Sequence, residues 1–324
     1  MRRVLLIAAL PFMLSAQYSL YTCASISKGY VVGAPLPPSG LFSQTGSADW
    51  QHYGFNHPFL AALDYDPAEP STLYLAAGNG LIRAADHGRN WTILTGSDIT
   101  EIRDVSLDPN RPGTIYIAHS HGIRVSHDKG ESWQEIGAPL HRKFTESLRV
   151  DRQKTGVLVA GGEEGLYRTE DEGKTWKLAG AAGFQILHIE QSPHNPCFWL
   201  AVTQGGGLFA SHDCGRTFEN SGNVGAGRNL YDVQFDPASP DRIALAGWGV
   251  GFFISLDGGK TWQQRNAGLP RPDVWSVALD PVNHSRVYVS IHEEAIYQSD
   301  DNGLTWSRQG LEGSVAPRMK FIPQ

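Results

Sequence analysis

The stretch "SLDGGKTWQQ", Ser255–Gln264, recurs with small changes along the chain. "SHDKGESWQE" begins at Ser126, "TEDEGKTWKL" at Thr169, "SHDCGRTFEN" at Ser211 and "SDDNGLTWSR" at Ser299. A sixth, looser copy, "AADHGRNWTI", begins at Ala84. The shared aspartates are Asp86, Asp128, Asp171, Asp213, Asp257 and Asp301, at spacings of 42, 43, 42, 44 and 44 residues. A fixed period in this range marks propeller blades or solenoid units. Between the copies lie further matching strings, such as "VSLDPNRPGTIYIAHSHGIRVSHD" and "VQFDPASPDRIALAGWGVGFFISLD". Each period reads as four strands, a to d. An alternating run leads to Asp-Pro, a β-rich run such as "TIYIA" follows, then a run such as "GIRVS", the Asp motif, and a short run such as "SWQEI". Alternation punctuated by turn residues argues for strands, and four per forty residues argues for blades.

Six carboxylates spread round a ring cannot converge on one substrate, so the motif reads as a turn. The Asp side chain accepts backbone N–H bonds within the c–d hairpin. Gly88, Gly130, Gly173, Gly215, Gly259 and Gly303 supply the left-handed backbone that other residues resist. Trp91, Trp133, Trp176, Phe218, Trp262 and Trp306 each pack a large ring between adjacent blades. A seventh blade is expected from the two chain ends. "YVVGAPLPPSGLFSQTGSADWQHYG" resembles strands b to d with a degenerate motif, and "SVAPRMKFIP" resembles strand a. Strands b to d are placed within residues 28–54 and strand a within 313–324. The expected fold is therefore all-β: a seven-bladed propeller of four-stranded antiparallel blades, closed by both termini in one sheet, which leaves no exposed inner edge.

The S-x-D-x-G-x-T-W motif resembles the Asp-box, or BNR, repeat family, and the likeness runs over nearly the whole chain after its first residues. That family includes sialidases, xyloglucan-active glycoside hydrolases, sortilin-type receptor domains and photosystem II assembly-factor propellers. The resemblance implies the fold far more strongly than any activity. A sialidase would carry an arginine triad, a Tyr–Glu pair and an Arg-Ile-Pro motif before the first box. The nearest string is "PRMKFIP", at the opposite end. The xyloglucan enzymes resemble two propellers facing across a cleft, and this chain accounts for one.

The start, "MRRVLLIAALPFMLSA", sets two arginines before an apolar run from Val4 to Leu14. The run is too short to span a bilayer and reads as a secretory signal. Cleavage after Ala24 puts Thr22 at the −3 position; cleavage after Ala16 puts Leu14 there. The first fits the preference for a small residue better, giving a leader of 1–24 and a propeller of 25–324, secreted or periplasmic. Lipidation at Cys23 is a weak alternative, since Tyr21 and Thr22 suit a lipobox poorly, and Cys23 is expected to leave or to lie in the N-terminal tail. Cys197 and Cys214 fall at one end of paired strands in blade 4, where a disulfide is geometrically reasonable. The net charge of −6, with no basic block, gives nucleic acid no electrostatic footing.

Propeller function is usually carried by loops, which vary where blades cannot. All the boxes lie on the face of the a–b and c–d turns. The b–c and d–a loops form the other face, round the channel mouth. They gather Trp248, Trp275, Tyr231, His119, His121, Glu163, Glu164, His292 and Arg271, with Glu101, Arg103, His141 and Arg142 nearby. Exposed tryptophans at a mouth stack on sugars or anchor peptides, so these residues are the candidate binding set for a protein or carbohydrate ligand. For glycoside hydrolysis two carboxyls must lie roughly 5–10 Å apart; Glu293 and Glu294 with Asp273 are the weak candidates. His119 and His121 with Glu163 have the residue types of a metal site, but short His pairs are common in loops. No metal, cofactor or nucleic acid is expected, and no later segment is long and apolar enough to be a transmembrane helix. A monomer is expected.

Overall fold

The computed structural model describes residues 17–29, 31–35, 37–44, 49–137, 140, 143–222 and 224–324. Residues up to Ala16, the larger part of the expected leader, and His141 and Arg142 lie outside the described residues. Seven four-stranded antiparallel sheets follow one another, each in the order a-b-c-d. The fold is an all-β, seven-bladed propeller. Numbered by their boxes, blades 1 to 6 begin with a strands at Leu60–Asp66, Ile102–Leu107, Thr145–Val150, Ile186–Gln191, Leu230–Phe235 and Val274–Leu279. Blade 7 is composite. Its a strand is Ser314–Pro323, from the C-terminus, and its b strand is Tyr18–Ile26, from the N-terminus. Gly40–Gln44 and Gln51–Tyr53 complete it.

This corrects the placement of strand b, expected beyond residue 28. Leu20, Tyr21, Thr22 and Cys23 are all buried in it, and Thr22 Oγ1 donates to the Arg318 carbonyl at 2.9 Å. Cys23 is no tail residue. Its side chain lies against the Ala62 carbonyl in the blade 7–blade 1 core, and burial pushes its thiol pKa up. A boundary after Ala24 cuts through this strand, while one after Ala16 leaves it whole.

Seven hydrophobic clusters fill the seven gaps between neighbouring blades. Each box aromatic joins the cluster shared with the preceding blade: Trp91 packs with Leu41 and Tyr53, Trp306 with Phe252. Blade 7 keeps this arrangement without an intact box, through Trp50, which donates to the Gln309 carbonyl at 2.6 Å.

The box itself is a closed hydrogen-bond circuit. In blade 5, Ser255 Oγ donates to Asp257 Oδ1 at 2.8 Å and accepts from the Gly259 amide at 2.8 Å. Asp257 then accepts from the Thr261 amide at 2.9 Å and its hydroxyl at 2.6 Å. Blades 2, 3, 4 and 6 repeat this. Blade 1 departs from it because Ala84 replaces the hydroxyl residue; Asp86 adopts φ 51° and pairs with Arg89. The box glycines have positive φ, and most also sit where a preceding blade presses in.

The hydroxyls of Ser132, Thr175, Thr261 and Thr305 hold Asp128, Asp171, Asp257 and Asp301 down at a pKa of about 2. A depressed carboxylate contributes stability that is complete above its unfolded range near 4 and is lost as pH falls toward the folded value. The thermal midpoint should therefore drop between about pH 4 and pH 2. Thr261→Val should make that acid limb shallower, and an unchanged limb would detach the box from acid stability.

Cys197 and Cys214 are joined in a disulfide across blade 4, beside a 3.1 Å backbone bond from the Cys214 amide to the Cys197 carbonyl. With a separation of 17 residues, the chain-entropy model assigns it about 3 kcal/mol.

Candidate functional site

The a strands form the inner ring, and each would leave one edge of backbone groups unpaired. The preceding blade's side chains supply the partners. Asp104 Oδ2 accepts from the Leu148 amide at 3.1 Å, Ser147 Oγ from Ile189 at 3.1 Å, and Asp232 Oδ2 from Val277 at 2.9 Å. This explains why strongly polar residues sit fully buried at the centre. Around them an ionic network links blades 2 to 5. Arg149 meets Asp104 at 2.7 Å, Glu190 at 3.3 Å and His188 Nε2 at 2.6 Å. His188 Nδ1 lies 2.7 Å from Asp232 Oδ1. Burial, with Arg318 and Arg149 adding to it, holds His188 neutral. Burial also raises Asp232, to about 6.

Above this network opens a cavity of about 1060 Å³ on the b–c/d–a face. How the strands present residues to it is systematic. In blades 1 to 6 the a strand has a register shift at its second residue, where one residue has no partner on strand b. Those residues are Ala61, Arg103, Glu146, Leu187, Tyr231 and Trp275, and all six line the cavity. Blade 7 has a shift at the same end and contributes Val315, Pro317 and Arg318. A bulge frees a side chain from the ladder's alternation and re-aims it. Seven bulges at one level re-aim a ring of side chains into the mouth.

The ring is divided chemically. On blades 2 and 3, Arg103 binds Glu146 through both oxygens, at 2.8 and 3.1 Å, and lies over the Phe144 ring. On blades 4 to 6 the ring is apolar. Tyr231 and Trp275 stack at 4.4 Å between centroids. Trp248 meets both edge-on, at 6.5 and 5.9 Å, and His292 packs against both tryptophans. Two loop contacts fix this cluster: Arg271 donates to the His292 carbonyl, and the Gly249 amide donates to Asp273 Oδ1 at 3.2 Å. Tyr231, Trp248, Trp275, His292, Arg271 and Asp273 are thus brought together, from distant parts of the chain.

Other candidates are dispersed. His119 is buried on blade 2, where burial and then Arg124 push its pKa down to about 4. His121 lies beside it, 6.0 Å between rings, and is held by Ser120. Glu164 pairs with Lys143, and Glu163 is exposed. Among the described residues no group of three His, Cys, Asp or Glu is placed to hold a metal ion. The suggested carboxylates are already engaged. Glu293 accepts from Ser27 Oγ at 3.0 Å, Glu294 pairs with Lys28 at 2.8 Å, and Asp273 faces Arg271. The Lys28 hydrogen bond lowers the pKa of Glu294, the reverse of what a glycosidase general acid requires.

The bulge positions were not singled out from the sequence as a set. Their signal is a one-residue slip in the a-strand alternation, recurring at the same place in each repeat.

The BNR/Asp-box repeat family matches at residues 253–264. No curated protein matches the chain significantly. Among solved structures, the GH74 xyloglucanase from Xanthomonas campestris is 19% identical with a TM-score of 0.66, covering 77% of this chain and 45% of that one. YCF48 from Cyanidioschyzon merolae is 15% identical with a TM-score of 0.60, covering 82% and 95%. YCF48 bound to a D1 peptide is 21% identical with a TM-score of 0.58, covering 78% and 80%. The chain spans less than half the length of the GH74 structures it matches. At these identities the likeness is one of fold. The matched box, its hydrogen-bonded turn and its inter-blade aromatic make the chain a seven-bladed β-propeller that carries a BNR/Asp-box repeat and is similar to that family.

Proposed function

We propose that the chain is an exported binding protein that holds a protein or glycan ligand at the channel mouth. The observation that carries this reading is the preassembled aromatic cluster at the edge of the cavity, which Tyr231 and Trp275 line. Rings held edge-to-face lose little freedom on binding, and buried aromatic anchors dominate recognition energetics. Solved propellers of this fold are known both with a bound D1 peptide and as a xyloglucanase. Hydrolysis is the weaker reading, because Glu146, Asp273 and Glu294 each face a cation and Glu293 is turned to Ser27. We further place the leader's end at Ala16.

The full chain, incubated with a panel of polysaccharides, should release no reducing ends. Release that disappears in Glu293→Gln would replace the binding reading with catalysis at that loop. For any ligand retained on affinity gels, Trp275→Ala should weaken binding about 30-fold, as for a central aromatic anchor. Retention unaffected by Trp275→Ala or Trp248→Ala would move the site away from the mouth.

A further inference from the structure

The mouth face carries two features that the aromatic cluster alone does not explain. One is its further apolar exposure. Val31 is 67% exposed, Val32 93% and Phe59 72%, and Phe55 and Phe184 also reach solvent. All five lie in b–c or d–a connections, on the face that bears the cavity. Large apolar side chains left open together mark an interaction surface. Sugars stack on aromatic rings, but two adjacent exposed valines give a hydroxylated ligand little to bind.

The second feature is charge. Most cations of these loops are matched: Lys28 with Glu294, Lys143 with Glu164, Arg271 with Asp273, Arg103 with Glu146. At the cavity floor Arg318 donates to the carbonyls of Leu187 and Tyr231. Among the described residues Glu101, Glu163 and Glu293 make no ion pair, against one exposed loop cation without one, Arg228, and Glu101 lines the cavity. The apolar sector of the mouth thus sits within a rim where, among the described residues, unpaired carboxylates outnumber unpaired cations.

We propose that the occupant of the mouth is a polypeptide segment with an apolar or aromatic anchor flanked by Lys or Arg. The anchor enters beside Tyr231 and Trp275. The flanking cations meet Glu101 and Glu163, and the valines of the blade 7 loop cover apolar residues further out. The proposal rests on the binding reading above and narrows its ligand. Rim carboxylates chiefly steer encounter and select partners, while the buried anchor supplies most of the affinity.

Panning a random dodecapeptide library against the immobilised full chain tests this. The enriched peptides should hold Lys and Arg in clear excess over Asp and Glu around an aromatic or aliphatic residue. A resynthesised peptide should bind about 30-fold more weakly to Trp275→Ala. Its affinity should fall several-fold between about 0.01 and 0.15 M salt, as screening shortens the reach of exposed charges. It should fall about as much in the Glu101→Gln/Glu163→Gln chain, whose exposed substitutions leave the core untouched. Enrichment of acidic or charge-indifferent peptides overturns the proposal. So does retention of polysaccharides with no peptide enriched, which leaves the binding reading standing. Self-association of the chain lost with Trp275→Ala would assign the mouth to a second copy. Binding of neither peptide nor polysaccharide overturns both readings.

Discussion

A chain beginning at Ser25 should fail to close its ring, whereas one beginning at Gln17 should melt cooperatively. The longer truncation removes Tyr18 to Ala24 from strand b of blade 7, between strand a at Ser314–Pro323 and strand c at Gly40–Gln44. Leu20 and Tyr21 are both about 2% exposed. Fully burying such side chains contributes about 1.5–3 kcal/mol each. The loss extends to the backbone, because without strand b the C-terminal strand has no ladder to join. Domain stabilities of about 5–15 kcal/mol leave little to survive that loss. Near-UV circular dichroism and thermal melting of the two chains decide the matter. A Ser25 chain melting within a few degrees of the other would show that the ring holds with a broken seventh blade. The same logic bears on export. If the chain is exported as proposed, N-terminal sequencing of the mature protein should read from Gln17, because processing after Ala24 would discard most of a buried strand.

Gly303→Ala should be among the most damaging single substitutions, at about 2–6 kcal/mol. Two costs add. Its φ of 90° is a region that residues with a Cβ occupy only at about 1–3 kcal/mol. A Cβ there would also lie 2.6 Å from a ring atom of Phe252, itself fully buried in the blade 5–blade 6 core. Forcing extra volume into a packed core typically costs about 1–3 kcal/mol more. The control lies one blade back. Gly259 has φ 88°, but its added Cβ would meet nothing closer than 3.5 Å. Gly259→Ala should carry only the backbone cost, about 1–3 kcal/mol. Denaturant unfolding of both chains isolates the contribution of close approach. Equal losses would mean that Phe252 moves aside freely and that the glycine serves the turn alone.

The blades were legible because the box repeats its chemistry: a hydroxyl, an Asp, a Gly and an aromatic at fixed offsets. The composite blade was legible only in part. Strands a, c and d could be matched to the repeat, but Tyr18–Ile26 follows closely on the apolar run that reads as a leader. A buried strand and the tail of a leader share the same apolar and small residues, and only pairing tells them apart. The aromatic cluster was visible as residues but not as a cluster. Tyr231, Trp248, Trp275 and His292 meet because two blades present them at one level. The ionic network was hidden by distance along the chain: Arg149 lies 45 residues from Asp104. Asp104, His188 and Asp232 each interrupt an apolar run, which in a single sequence reads as a blemish in a strand.

The ring of bulges separates two demands that usually conflict. A residue outside the ladder register has no cross-strand partner to satisfy and little core to fill. On the binding reading, replacing Ala61 or Trp275 would change what the mouth recognises while the box circuits and the inter-blade cores go on holding the molecule together. If the mouth binds as proposed, its specificity could drift at one position per blade without first drawing on stability.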